Sequence, residues 1–125
     1  MRDYDEARDY YVKTLGFELV EDTPQGEDKR WLLVAPPGAK ETRLLLAKAV
    51  GDAQLAQIGN QCGGRVFLIL QTDNFERDHR EFTARGVHFC ETPRHETYGT
   101  VAVFEDLYGN RWDLIEMKPL AKNSL

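Results

Sequence analysis

The stretch MRDYDEARDYYVKTLGFELV, residues 1–20, begins with the start of a helix. Asp3 has the side chain of an N-cap, and Glu6 three residues later completes the spacing of a capping box. Tyr4, Ala7, Tyr11 and Leu15 recur at intervals of three and four, which puts one apolar face on a helix over roughly 5 to 15. Gly16 supplies a C-cap, and Phe17-Glu18-Leu19-Val20 alternates like a strand. Only Met1 and Arg2 precede the cap, so the helix opens the chain with nothing upstream to pack on.

The rest of the chain explains that opening. Trp31–Ala35 reads as a second strand stopped by Pro36-Pro37-Gly38, and Arg43–Ala47 as a third. Residues 49–64, AVGDAQLAQIGNQCGG, lack strand character and end in Gly-Gly, which suits a linker. The earlier pattern then returns. Arg65–Leu70 is a strand, Asp73-Asn74-Phe75-Glu76 is a second D-x-x-E helix start, and the helix runs to about Arg85. Gly86 caps it and Val87–Cys90 is the next strand. Thr100–Phe104 and Arg111–Ile115 follow, joined by the turn Asp106-Leu107-Tyr108-Gly109-Asn110.

Overlaid at an offset of 70, Asp3 falls on Asp73, Glu6 on Glu76, Gly16 on Gly86 and Glu21 on Glu91. The closing strands match at 68, with Leu44 on Trp112 and Leu46 on Leu114. A repeat of this length marks a duplicated strand–helix–strand–strand–strand unit. The first unit covers about 1–48, the linker 49–64 and the second unit about 65–118, all in a single domain. Strand 65–71 has no counterpart in the first unit, since the offset would place it before residue 2. An uncovered sheet edge is an aggregation liability, so the expectation is a sequence that starts late rather than a fold with an open edge.

Composition bounds the function. The chain has 125 residues with 42% hydrophobic and 30% charged, enough for a core without disulfides or metal as staples. The net charge of −5, with no basic run, excludes nucleic acid as the expected partner and leans toward a cationic ligand. Cys62 and Cys90 form no CxxC motif or disulfide framework, which points to a reducing cytoplasm. No apolar run is long enough for a membrane span.

The duplicated unit, with DYDEARDYYVKTLGFELVED and YGTVAVFEDLYGNRWDLIE, resembles the vicinal-oxygen-chelate superfamily. That group holds glyoxalase I, bleomycin- and fosfomycin-resistance proteins and extradiol dioxygenases. The resemblance implies an α+β fold of two paired βαβββ modules around a half-barrel cleft, a small organic ligand in its concave face, and a homodimer. It also implies a divalent metal held by His or Glu on the first and last strands of each module, acting as a Lewis acid on two substrate oxygens.

Tested residue by residue, that ligand set is incomplete. The first position lies on the strand this sequence does not contain. Leu45 stands at the second and cannot coordinate, and Arg65 stands at the third, where a cation repels a metal. Asp113 is the only matched ligand, so no cofactor is predicted unless the missing strand supplies one. Strand alternation sends Arg65, Phe67, Ile69 and Asp113 into the cleft, which suggests an Arg65–Asp113 ion pair in place of the metal.

Leu45, Phe67, Ile69 and Tyr98 would line the cleft, with His95 at its mouth beside Glu96. His79 lies on an apolar helix face, and His88 has no evident partner. No H-x-x-x-H spacing or nucleophile–base pair is legible, and Cys62 has no basic neighbour. Trp31, Trp112 and Phe104 read as core. The expected function is small-molecule binding with an incomplete metal site. The alternatives are a metal-dependent lyase, isomerase or dioxygenase of the same superfamily, and a non-catalytic protein that sequesters a drug or metabolite. A scaffold subunit with no cleft ligand is a third.

Overall fold

Asp3 has extended backbone angles, and its Oδ2 accepts from the Glu6 amide at 2.8 Å, so the first helix starts where an N-cap side chain can satisfy an orphan N–H. In the computed structural model, which describes residues 1–119, α1 (Tyr4–Asp9) continues into a π turn over Tyr10–Thr14, and Gly16 leaves at φ 75°. The chain then forms β1 (Glu18–Pro24), β2 (Arg30–Ala35), β3 (Leu44–Leu45) and a short α2 (Asp52–Leu55). β4 (Val66–Gln71), α3 (Phe75–Ala84), β5 (His88–Phe89), β6 (Arg94–Glu96), β7 (Gly99–Glu105) and β8 (Arg111–Met117) follow. The fold is mixed α and β, dominated by its sheets.

The first sheet has the order β1-β2-β3, all antiparallel. The second has the order β4-β8-β7-β5, with β4 parallel to β8, and β6 pairs with β7 beyond β5. In the second sheet β4 occupies the place beside β8. The equivalent place beside β3 holds Met1, whose amino group donates to Ala47 O at 2.9 Å and whose carbonyl accepts from Ala49 N at 2.8 Å. Among the described residues no helix is long and apolar enough to cross a membrane.

α1 and α3 pack on the strands and share one core. Leu32, Val34, Leu46 and Leu70 meet Ala102, Phe104, Trp112 and Leu114 there, under Ala7, Tyr11, Leu15, Phe75 and Phe82. Tyr11 and Phe17 of the first unit contact Trp112 of the second, with ring centroids 6.3 and 5.8 Å apart. The linker also docks: a Cβ on Gly59 (φ 76°) would meet Tyr108 O at 2.0 Å, so only glycine allows this approach to the β7–β8 turn.

Several local expectations are corrected. The second helix is capped by Asn74, whose side chain accepts from Arg77 N at 3.0 Å, while Asp73 pairs with the Arg77 guanidinium at 2.8 Å. The first capping box is half made, because Glu6 takes the Tyr108 hydroxyl at 3.0 Å instead of its cap amide. The strands expected over 43–47 and 87–90 shrink to two residues each, since short edges keep only the ladder their neighbours provide. Between the expected strands 87–90 and 100–104 the chain forms a further short strand, β6.

Candidate functional site

Parity along β8 separates two environments. Trp112 and Leu114 enter the core, whereas Arg111, Asp113 and Ile115 face away from the helices. Register carries that outer face across the sheet: Asp113 lies opposite Ile69 on β4 and Val103 on β7, and Arg111 lies opposite Glu105. β5 adds His88, paired with Glu105.

Asp113 is the distinctive group of this face. It is half-buried, and its Oδ1 is buried with no hydrogen-bond partner. Burial raises its carboxyl above the ordinary aspartate range; Arg94 opposes that shift and Glu91 adds to it. Arg94 is committed elsewhere, with Nε on Glu91 and Nη1 on Glu96, each at 3.1 Å. Glu91 in turn accepts from Val103 N at 3.0 Å, closing the ladder between β5 and β6. An orphaned carboxylate oxygen beside apolar neighbours is an unfilled hydrogen-bond position, of the kind a ligand donor satisfies.

The expected Arg65–Asp113 ion pair does not form. Asp113 pairs with no cation within 4 Å among the described residues, and Arg65 is exposed in a separate crevice with Cys62, Gly109 and Arg111. The cause is a bulge in β4. Val66 pairs with Arg111 and Leu68 with Trp112, so Phe67 is an extra residue and the alternation that placed Arg65 in phase with Ile69 breaks there.

His95 is also misplaced by the sequence reading. Its register partner is Thr100, it contacts the Thr100 hydroxyl at 3.3 Å, and it lines a cavity with His79 and Glu116 on the helix side. Tyr98 sits half-exposed beside Arg94 at the β6–β7 turn, and its carbonyl accepts from Lys118 N at 2.8 Å. Leu45 and Phe67 are brought together and line a cavity of about 180 Å³ between β3 and β4, floored by Tyr11 and Trp112.

Leu45, Phe67 and Ile69 are 49, 36 and 59% exposed; Leu45 and Phe67 share the cavity between β3 and β4, and Ile69 is the cross-strand neighbour of Asp113. A superfamily-type metal does not fit these positions: a leucine, a displaced arginine and one carboxylate are not a ligand set.

The sequence reading passed over Asp106. It is buried, and its carboxylate accepts from the Tyr11 hydroxyl at 2.8 Å and from Tyr108 N, Asn110 N and Asn110 Nδ2 at 2.9 Å each. Burial and this carboxylate push the Tyr11 hydroxyl far above the usual tyrosine range. The signal was the D-L-Y-G-N turn itself, an Asp poised to cap its own loop.

Known proteins share this architecture. An uncharacterized protein of Shewanella frigidimarina is 55% identical over 118 residues, covering 94% of this chain and 87% of its own. The crystal structure of UcmS2 superposes with a TM-score of 0.80 at 30% identity, covering 91% of this chain and 90% of its own. TnmS3, an antibiotic binding protein from Streptomyces sp. CB03234, matches with a TM-score of 0.72 at 34% identity over 94% of this chain and 89% of its own. The sequence profile of the Glyoxalase/Bleomycin resistance protein/Dioxygenase superfamily matches residues 1–114, and the chain belongs to that superfamily.

Proposed function

We propose that the protein binds a small, largely apolar organic molecule bearing an N–H donor or a cation, along Leu45, Phe67 and Ile69 with the polar group on Asp113. The observation that carries this reading is the buried Oδ1 of Asp113, without a hydrogen-bond partner among the described residues and opposite the exposed Ile69. A donor placed there restores the missing hydrogen bond and reverses the cost of the buried charge. The net charge of −5 works in the same direction. The residues Leu45, Arg65 and Asp113, which are not a ligand set, favour binding over metal-dependent chemistry there, and the antibiotic-binding relative accords with that reading. A cytoplasmic homodimer completes the reading, and light scattering on the eluting protein checks its mass.

The test uses 1-naphthylmethylammonium as probe, with 1-naphthalenemethanol and 1-naphthoate as neutral and anionic controls, each titrated by calorimetry with and without EDTA. The expected order is cation, neutral, anion, unchanged by chelator. Asp113→Asn should weaken the cation about tenfold while leaving the neutral compound alone. Equal affinity for all three, or a loss on adding EDTA, would overturn the reading.

A further inference from the structure

The outer face of the second sheet holds a second group of donors, at its β5–β7 edge, that the ligand strip does not use. His88 and Glu105 are cross-strand partners, and Cys90 is fixed two residues along by its amide donating to Val103 O at 2.8 Å. Alternation puts His88 and Cys90 on the same side as Glu105. One imidazole nitrogen, the Cys90 sulfur and one Glu105 carboxylate oxygen all lie within 4.8 Å of one another. Cys90 is a free thiol, and the Glu105 carboxylate has a loose ion pair with Arg111 Nε at 3.9 Å.

We infer that His88, Cys90 and Glu105 form a binding site for a zinc-like divalent cation, with the fourth position open to solvent. Tetrahedral zinc with bonds of about 2.0–2.3 Å sets its donors roughly 3.3–3.8 Å apart. The three donors therefore need to close by only about 1 Å, within reach of side-chain rotation on a backbone the ladder holds in place. Nitrogen, sulfur and oxygen together select a borderline ion. Magnesium and calcium want oxygen alone.

Binding converts the Cys90 thiol to thiolate with release of one proton to solvent, and it displaces the exposed Arg111. None of these residues is Leu45, Arg65 or Asp113, so the site does not depend on the ligand reading. His88 and Glu105 lie on β5 and β7, with Cys90 just past β5, rather than on β4 or β8.

The experiment titrates the reduced full chain with Co²⁺ and follows the near-ultraviolet thiolate-to-cobalt charge-transfer band, then adds Zn²⁺. The expectation is a band that saturates at one equivalent and is abolished by Zn²⁺. Cys90→Ser should remove the band. His88→Ala should weaken Co²⁺ roughly 100-fold or more, since groups that merely orient a ligand are already worth about 10- to 100-fold. Cys62→Ser and His79→Ala serve as controls and should leave it intact. Unchanged circular dichroism in each variant separates loss of the site from loss of fold. No band at stoichiometric Co²⁺, or one that survives Cys90→Ser and vanishes with Cys62→Ser, would overturn the inference. Binding of the naphthyl probe to Cys90→Ser reports separately on the Asp113 strip.

Discussion

Leu45 on β3, in the first sheet, and Asp113 on β8, in the second, sit in different surroundings. The outer face of the first sheet presents Trp31, Leu33 and Leu45, with Glu21 and Thr23 bonded to each other at its rim at 2.9 Å. The outer face of the second presents Asp113, Arg94, Glu91, Arg111 and Glu105. The first sheet presents apolar side chains on its outer face and the second presents charged ones.

The helix-side attachments differ as well. Asp106 in the β7–β8 turn of the second unit reaches across to Tyr11 in the first, whereas the β2–β3 turn bonds within itself through Arg43 to the Ala39, Lys40 and Thr42 carbonyls. The largest effect is therefore expected from Asp106→Ala, which strands the Tyr11 hydroxyl and three further donors in the interior. The loss should be about 3 kcal/mol, or a fall in Tm of roughly 10 °C. Arg43→Ala should move Tm by no more than about 2 °C. Denaturant unfolding and thermal melts followed by tryptophan fluorescence check both, and similar losses for the two would erase the asymmetry.

A second contrast lies in how each helix is tied to its sheet. Arg30 on β2 grips Asp22 through Nε and Nη2 at 2.9 and 2.6 Å, reaches Asp5 on α1 at 2.8 Å, and lies over the Tyr4 ring. In α3, Arg77 pairs among the described residues with Asp73 and Asp78 of its own segment, while Phe75 and Phe82 anchor that helix by burial. Arg30→Ala should cost about 1 kcal/mol and Arg77→Ala less, with the first loss shrinking in 1 M salt. Arg30 holds the Asp22 carboxyl below its ordinary value of 3.8. The stability from this pair is thus present above that value and drains away as pH falls below it. The wild type should lose more stability than Arg30→Ala between about pH 4 and pH 2.

How much of this was legible depended on range. Caps, glycine stops and strand alternation are local, and they placed most elements. The repeat carried one more clue in its arithmetic. Thirteen residues separate Asp3 from Gly16 but twelve separate Asn74 from Gly86, and the extra residue is absorbed by the π turn, where Leu15 N reaches back to Tyr10 O. Aligning Asp3 with Asp73 instead of Asn74 hid it.

Parity failed wherever a pairing partner rather than the chain set the geometry. The β4 bulge turned Arg65 out of phase with Asp113, and the pairing of β6 with β7 carried His95 to the helix side. Tyr11 and Asp106 are 95 positions apart, a contact that no local pattern encodes. The His88, Cys90 and Glu105 cluster is likewise a product of strand register.

The smallest effect tests the chemistry of the outer face directly. Burial raises the Asp113 carboxyl above its ordinary value of 3.8, so the folded state holds a proton there that the unfolded chain has already released. Stability from this group is therefore full below that value and declines as pH rises through the higher folded-state value. Asp113→Asn removes the charge that causes the decline. The variant should match the wild type near pH 3 and be more stable at pH 7, by under about 1 kcal/mol because solvent screens a half-exposed group. Leu45→Asn, in the first sheet, has no charge to relieve and should show no such pH dependence. Thermal melts of both variants from pH 3 to pH 8 read the difference. If Asp113→Asn instead lost stability on the neutral side, the carboxylate would have a partner in solution, and the orphaned oxygen could no longer carry the case for a bound donor.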